Sequence, residues 1–364
     1  MKEIKPGYIF TTVFWIEKGD DGKPEMIGRN INSKITDMRI ITEDRRVMPG
    51  RNCTVKVESV SDKEIRVDYL GLSDFRLQDD IFIEPSQLKQ FEILLCSGRS
   101  ILLEGPQGAG KTTISRALAE TLGMEYVFFN CSVCFEPADF VGSLQLIVDS
   151  KGKARTEWIP TPVLETVYAA GENSARRFLV FLDELNRCRS YALNGIMSAI
   201  DASKMIFDPR NNSYIPIPDN IQWIAAINSG KQFTGTYKLD VAQLDRFAVL
   251  KIGYPPEEKE IGILSRRYDM VKPKYIQKAV QIANAIRNEE AILSDLSMRA
   301  TDEVCMFLSY PSFQKSITDD YFIEIMKTSF CNRLPGDIDE EGSEARMAYT
   351  IIERHVRLPK EALE

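Results

Sequence analysis

Histidine is almost missing from this chain of 364 residues: His355 is the only one. A hydrolase built on a histidine base has little to work with here. A zinc site is just as poorly supplied, because Cys131-Ser132-Val133-Cys134 is a lone CxxC with no second pair. The seven cysteines are odd in number and scattered, which argues against a disulfide framework and fits a reducing cytoplasm. No apolar run reaches the roughly 18 residues of a membrane span. The apolar segment Tyr8–Ile16 contains Thr11 and Thr12, lacks a small-residue cleavage site and runs into Glu17-Lys18-Gly19-Asp20, so it reads as a first strand rather than a secretion signal. There is no internal repeat and no low-complexity tract. A basic surplus is also absent. The net charge of -7 and pI near 5.2 argue against non-specific nucleic-acid binding as the main activity.

What is present begins with Gly105-Pro106-Gln107-Gly108-Ala109-Gly110-Lys111-Thr112, which fits the phosphate-loop pattern Gly-x4-Gly-Lys-[Ser/Thr]. An apolar run, Ile101-Leu102-Leu103, precedes it. A helical pattern opening with Thr113 follows. Glycines let such a loop turn its N–H groups toward an anion at a helix N-terminus. Lys111 would neutralise β- and γ-phosphates, and the Thr112 hydroxyl would ligate Mg²⁺. Arg177–Leu182 is then a buried apolar strand ending in Asp183 and Glu184. A carboxylate at such a tip can hold the water shell of Mg²⁺, which suits Asp183; its neighbour Glu184 can polarise an attacking water.

Three regions are expected. Residues 1–84 are β-rich: Cys53–Glu58 and Glu64–Tyr69 alternate apolar and polar residues around Ser61-Asp62-Lys63, and Gly19–Gly22 marks another turn. A small barrel or sandwich would house them. Residues 85–254 open with a helix carrying Leu88, Phe91, Leu94 and Leu95 on one face, and then alternate strands and helices as a parallel α/β sheet requires. The expected strands are Ile101–Glu104, Tyr126–Asn130, Phe178–Leu182, Ile221–Ile227 and Val249–Ile252. Residues 255–364 are helical, as in Ile276–Arg287 and Arg299–Leu308.

Asp183-Glu184-Leu185-Asn186-Arg187 resembles the Asp-Glu-Ile-Asn-Arg signature of AAA+ ATPases of the MoxR/CbbQ group, allied to the dynein-related, midasin and McrB-like ATPases. The resemblance spans about residues 86 to 310. It implies a five-stranded P-loop core with a helical lid, binding ATP and Mg²⁺ through residues 105–113, Thr113 included. By the same resemblance Ile224–Asn228 is a sensor-1 strand with Asn228 near the γ-phosphate. Gln243-Leu244-Asp245-Arg246-Phe247 carries the arginine finger at Arg246, and Leu296–Ala300 is a sensor-2 motif with Arg299 reaching from the lid after an N-cap at Ser297. Arg187 is a further residue that could act across an interface.

Phe135–Gly142 resembles the stretch before a hairpin inserted in helix 2, here Leu144–Asp149 and Ala154–Ile159. Thr161-Pro162-Val163-Leu164 departs from the usual Gly-Pro-Leu there. Lys204–Ile217 reads as the hairpin before sensor 1. In the family both hairpins tend to face a central pore. The implied function is a ring, hexameric in the family, that remodels or activates a protein client, often with a von Willebrand factor A-domain partner. The alternative is an McrB-like or phage- and defence-associated nucleic-acid motor whose N-terminal β domain reads DNA.

Overall fold

The computed structural model describes residues 6, 9–18, 24–29, 39–43, 47, 52–61, 64–72, 77, 81–148, 152–174, 176–229, 237–310 and 317–357. The expected turns at Gly19–Gly22, Asp62-Lys63 and Ser150-Lys151 lie outside the described residues.

The first five strands are β1 (Ile9–Lys18), β2 (Pro24–Arg29), β3 (Arg39–Ile41), β4 (Asn52–Val60) and β5 (Glu64–Leu72). They close a barrel in the order β1-β2-β3-β5-β4, with β1 returning to pair with β4. Every pairing is antiparallel except β3 with β5. This is the strand order of an OB-type barrel. Alternation supplies its core: Cys53, Val55, Val57, Ile65 and Val67 point inward on β4 and β5, beside Phe14 and Ile40.

Helix α1 (Pro85–Cys96) leads from the barrel, burying Phe91 and Leu95 with Leu88 and Leu94 half-buried. Then come β6 (Ile101–Gly105), α2 (Lys111–Leu122), β7 (Glu125–Asn130), the hairpin β8 (Gly142–Val148) and β9 (Ala154–Pro160), α3 (Pro162–Glu172), β10 (Phe178–Asp183) and α4 (Asn194–Ile200). A second hairpin, β11 (Met205–Asp208) and β12 (Ser213–Pro216), precedes β13 (Ile221–Asn228), α5 (Val241–Leu244) and β14 (Ala248–Lys251). Five strands form one parallel sheet, ordered β14-β6-β13-β10-β7. The strand expected at Val249–Ile252 lies one residue earlier.

Both faces of this sheet are covered, which explains its near-continuous apolar strands. Val180 and Leu182 pack with Val163, Leu164 and Ile196 on one face. Leu179 and Phe181 join Ile114, Leu118 and Phe91 on the other, in a buried cluster continuous with the barrel interior. On the β8–β9 hairpin Trp158 packs against the first of these clusters, while Leu144, Leu146 and Val148 are left exposed.

The remaining chain is helical among the described residues: α6 (Glu257–Arg267), α7 (Pro273–Asn288), α8 (Met298–Ser309), α9 (Asp319–Ser329) and α10 (Glu344–Arg357). Ile276, Val280, Ala283, Val304, Phe322, Met326 and Ile352 build a separate core there. His355 sits on α10, with its Nδ1 2.9 Å from the Ile351 carbonyl oxygen; it is a helix-packing residue. Together these parts make the expected AAA+ P-loop fold, with a helical lid and a small N-terminal β barrel.

Candidate functional site

A nucleotide in an open α/β sheet sits beyond the carboxyl ends of the strands, where the strand order reverses. In this sheet that place is the tip of β6, which lies between β14 and β13, with β10 on the far side of β13. The register sets Asn228 opposite Gly105 on the neighbouring strand, while Asp183 ends β10 one strand further on. Sequence motifs separated by more than a hundred residues therefore meet at one sheet edge.

From the β6 tip the chain turns into α2 through Gly110, held at φ 85°, a left-handed backbone that only glycine adopts at little cost. No side chain caps α2, so its first N–H groups remain directed outward for an anion. Lys111 is buried at the base, where its ammonium donates to Gly105 O and Pro106 O at 2.8 Å and to Asn228 Oδ1 at 2.9 Å. Burial pulls this lysine down to about 8, although Asp183, Asp295 and Glu184 act to raise it. Thr112 Oγ1 donates to Asp183 Oδ2 at 3.3 Å. Asn186 holds Asn228 from behind, donating to its carbonyl at 2.9 Å. Asn186 was visible as the fourth residue of the acidic signature, yet nothing in the sequence gave it this supporting role.

Glu184 has φ 53°, uncommon for a residue with a side chain and the kind of strain that collects at functional sites. Its carboxylate lies 3.3 Å from Arg187 Nε.

Lys111, Thr112, Asp183, Glu184, Asn228 and Arg299 line one cavity of about 260 Å³, together with Gln107–Gly110 and Thr113. Arg299 reaches it from the lid. Ser297 is the N-cap residue of α8 as expected, but its hydroxyl makes no capping bond; it lies against the phosphate loop instead. A Cβ on Gly108 would fall 2.5 Å from Ser297 Cβ, so glycine is what permits this approach. An apolar wall of Ile81, Phe82, Ile263, Leu264 and Met298 completes the cavity, and no motif had pointed to it.

Arg246 and Arg187 do not line the cavity. Arg246 Nε is 3.2 Å from Asp201 Oδ2, and its Nη1 donates to Ala242 O at 2.6 Å. This partner is 45 positions away, at the C-cap of α4. Cys131, Cys134 and Cys188 lie near one another, all buried. Desolvation pushes Cys134 and Cys188 up to about 12, which leaves them inert as nucleophiles.

Residues 100–247 match the family model described as AAA domain (dynein-related subfamily). Among curated relatives, the uncharacterized protein YojN of Bacillus subtilis is 24% identical over 245 residues, spanning 66% of this chain and 76% of that one. An uncharacterized protein of Staphylococcus aureus (strain NCTC 8325 / PS 47) is 22% identical over 60% of this chain and 81% of its own. Among solved structures, the P216G mutant of Thermotoga maritima RuvB aligns with a TM-score of 0.45 at 18% identity, covering 70% of this chain and 73% of that one. The family match lies over the sheet core and supports an AAA+ domain there. No helix among the described residues is long and apolar enough to cross a membrane.

Proposed function

We propose that this chain is an Mg²⁺-dependent ATPase that works as a ring and spends the hydrolysis cycle on remodelling a protein client, in the manner of the MoxR/CbbQ group. One observation carries the catalytic part: a buried lysine, two strand-tip carboxylates, a strand-tip amide and a lid arginine converge on one cavity at a helix N-terminus. The Thr112 hydroxyl and Asp183 carboxylate are hard oxygen donors side by side, a set that fits Mg²⁺. When bound there, Mg²⁺ supplies charge neutralisation to the β- and γ-phosphates.

The chain's own residues do the rest. N–H groups of residues 108–113 and the Lys111 ammonium hold the phosphates. Glu184 orients and deprotonates the attacking water, and Asn228 donates its amide to that water or to the γ-phosphate. Arg299 closes the site from the lid. Ile81, Phe82, Ile263 and Met298 offer an apolar slot for the base. Arg246 lies outside its own cavity, as suits a residue that stabilises the transferred phosphoryl group in a neighbouring subunit.

ATP turnover by the purified protein, retention of ATP binding in Glu184→Gln with loss of turnover, and ATP-dependent assembly on gel filtration would each support this reading. A strictly monomeric profile with and without an ATP analogue would sink the trans role of Arg246. Client work predicts turnover stimulated by a protein, for which a von Willebrand factor A-domain protein is the first to try.

The OB-type strand order of the barrel favours a second reading, since such barrels often hold single strands. On that reading single- or double-stranded DNA, rather than protein, stimulates turnover. The acidic balance of the chain weighs against it.

A further inference from the structure

Three lid helices meet at an ion pair that the hydrolysis chemistry does not use. Glu260 of α6 is fully buried and Arg287 of α7 nearly so, at 0% and 8% side-chain exposure. Arg287 Nη1 and Nη2 take the two carboxylate oxygens at 2.6 and 3.2 Å. We propose that this pair is a positioning element that seats the Leu296–Thr301 segment, and with it Arg299, over the phosphate loop.

The bonds fall at both ends of that segment. Arg287 Nε donates to Leu296 O at 2.8 Å, and Thr301 Oγ1 donates to Glu260 Oε1 at 2.6 Å. Between these anchors lie Ser297, which abuts Gly108, and Arg299, which lines the cavity. A second line of contact runs to the loop through Tyr254, in the connection between β14 and α6. The Arg287 guanidinium stands over the Tyr254 ring at 4.8 Å, and the Tyr254 hydroxyl donates to Gln107 O at 2.9 Å. Buried ion pairs stabilise a fold no better than apolar residues of the same volume. Apolar residues are plentiful in this lid core. What the guanidinium provides and a leucine cannot is a rigid fork that holds a carboxylate and a backbone carbonyl at once.

This inference rests on the reading that the cavity takes ATP, and it is tested on binding rather than turnover. The dissociation constant of a fluorescent, non-hydrolysable ATP analogue is measured for the full-length wild type, Arg287→Lys, Arg299→Ala and the double variant, with melting temperatures taken without nucleotide. Lysine keeps a charge opposite Glu260 but loses the fork. The expected result is a loss of about fivefold for Arg287→Lys, a larger one for Arg299→Ala, and a double variant within about twofold of Arg299→Ala alone, because one acts through the other.

Losses that multiply, or an unchanged affinity in Arg287→Lys, would overturn the proposal. Should Arg287→Lys show no cooperative melt, Thr301→Val, which keeps the side chain's shape but removes the hydroxyl shared between Glu260 and the Met298 carbonyl, enters the same cycle. A loss of about threefold that vanishes in the Arg299→Ala background supports the proposal; an additive loss or none overturns it. A wild type that fails to bind the analogue overturns the ATP reading itself, and this inference with it. Wild-type binding with additive losses overturns the positioning role alone.

Discussion

The two sides of the candidate site are built differently. The strand-tip side is finished within one chain: Lys111 has three oxygen partners, Thr112 meets Asp183, and Asn186 braces Asn228. The arginine side is not. Neither Arg187 nor Arg246 lines the cavity; each is paired with a carboxylate of its own chain, Arg187 with Glu184 of the cavity wall and Arg246 with Asp201. On the proposed reading one chain suffices to hold a nucleotide, whereas hydrolysis draws on an arginine of a second chain.

The largest effect expected from this contrast is on turnover. Arg246→Ala should lower kcat by roughly a thousandfold, the scale of an arginine finger, while the affinity for ATP changes little. Mixing Arg246→Ala with Glu184→Gln subunits sharpens the test, since activity should return only where an intact Arg246 meets an intact Glu184. Glu184→Gln alone should cost about a hundredfold or more in kcat, with ATP still bound by equilibrium dialysis.

On the strand-tip side, Lys111→Ala should weaken ATP binding by roughly ten- to a hundredfold, as the loss of hydrogen bonds to a charged group implies. Calorimetric titration reads this directly. Lys111 also gives a pH signature. With its pKa lowered from 10.5 to about 8, chiefly by burial, the lysine loses its charge above pH 8, and ATP affinity should then fall by up to about tenfold per pH unit. The fold responds with the opposite sign. The unfolded chain binds this proton more tightly, so Lys111's contribution to stability grows as pH rises from about 8 toward 10.5. Smallest of all, Asp201→Asn should change stability by less than about 1 kcal/mol in a denaturant melt, because the pair it breaks is partly exposed. A large loss there would make Arg246 a structural residue and remove the contrast.

Much of this was legible in the sequence where the signal is local. The five sheet strands are runs of apolar residues bounded by turns. The phosphate loop and Asp183-Glu184 are contiguous motifs whose chemistry depends on neighbours in sequence. Asn228 was found by resemblance. The partners that decide what each group does were not legible. Asp201 pairs with Arg246 across 45 positions, and Glu260 meets Arg287 across 27; both look like ordinary surface charges when read in order. The apolar wall escaped for the same reason, since Ile81, Ile263 and Met298 come from three distant segments. Closure of the barrel depended on β1 pairing with β4, a contact no alternation pattern contains.

The approach of Ser297 to Gly108 has a mechanical consequence. Helix α7 is 16 residues long, which at 1.5 Å per residue makes an arm of about 24 Å. Its root is clamped beside the loop through Arg287 and Tyr254. A tilt of about ten degrees at that root would carry the far end through about 4 Å on such an arm. The lid therefore has the proportions of a lever whose short end rests on the phosphates' own loop. A displacement too small to notice at Gly108 becomes, at the other end, a shift of several ångströms, about the rise of three residues of helix.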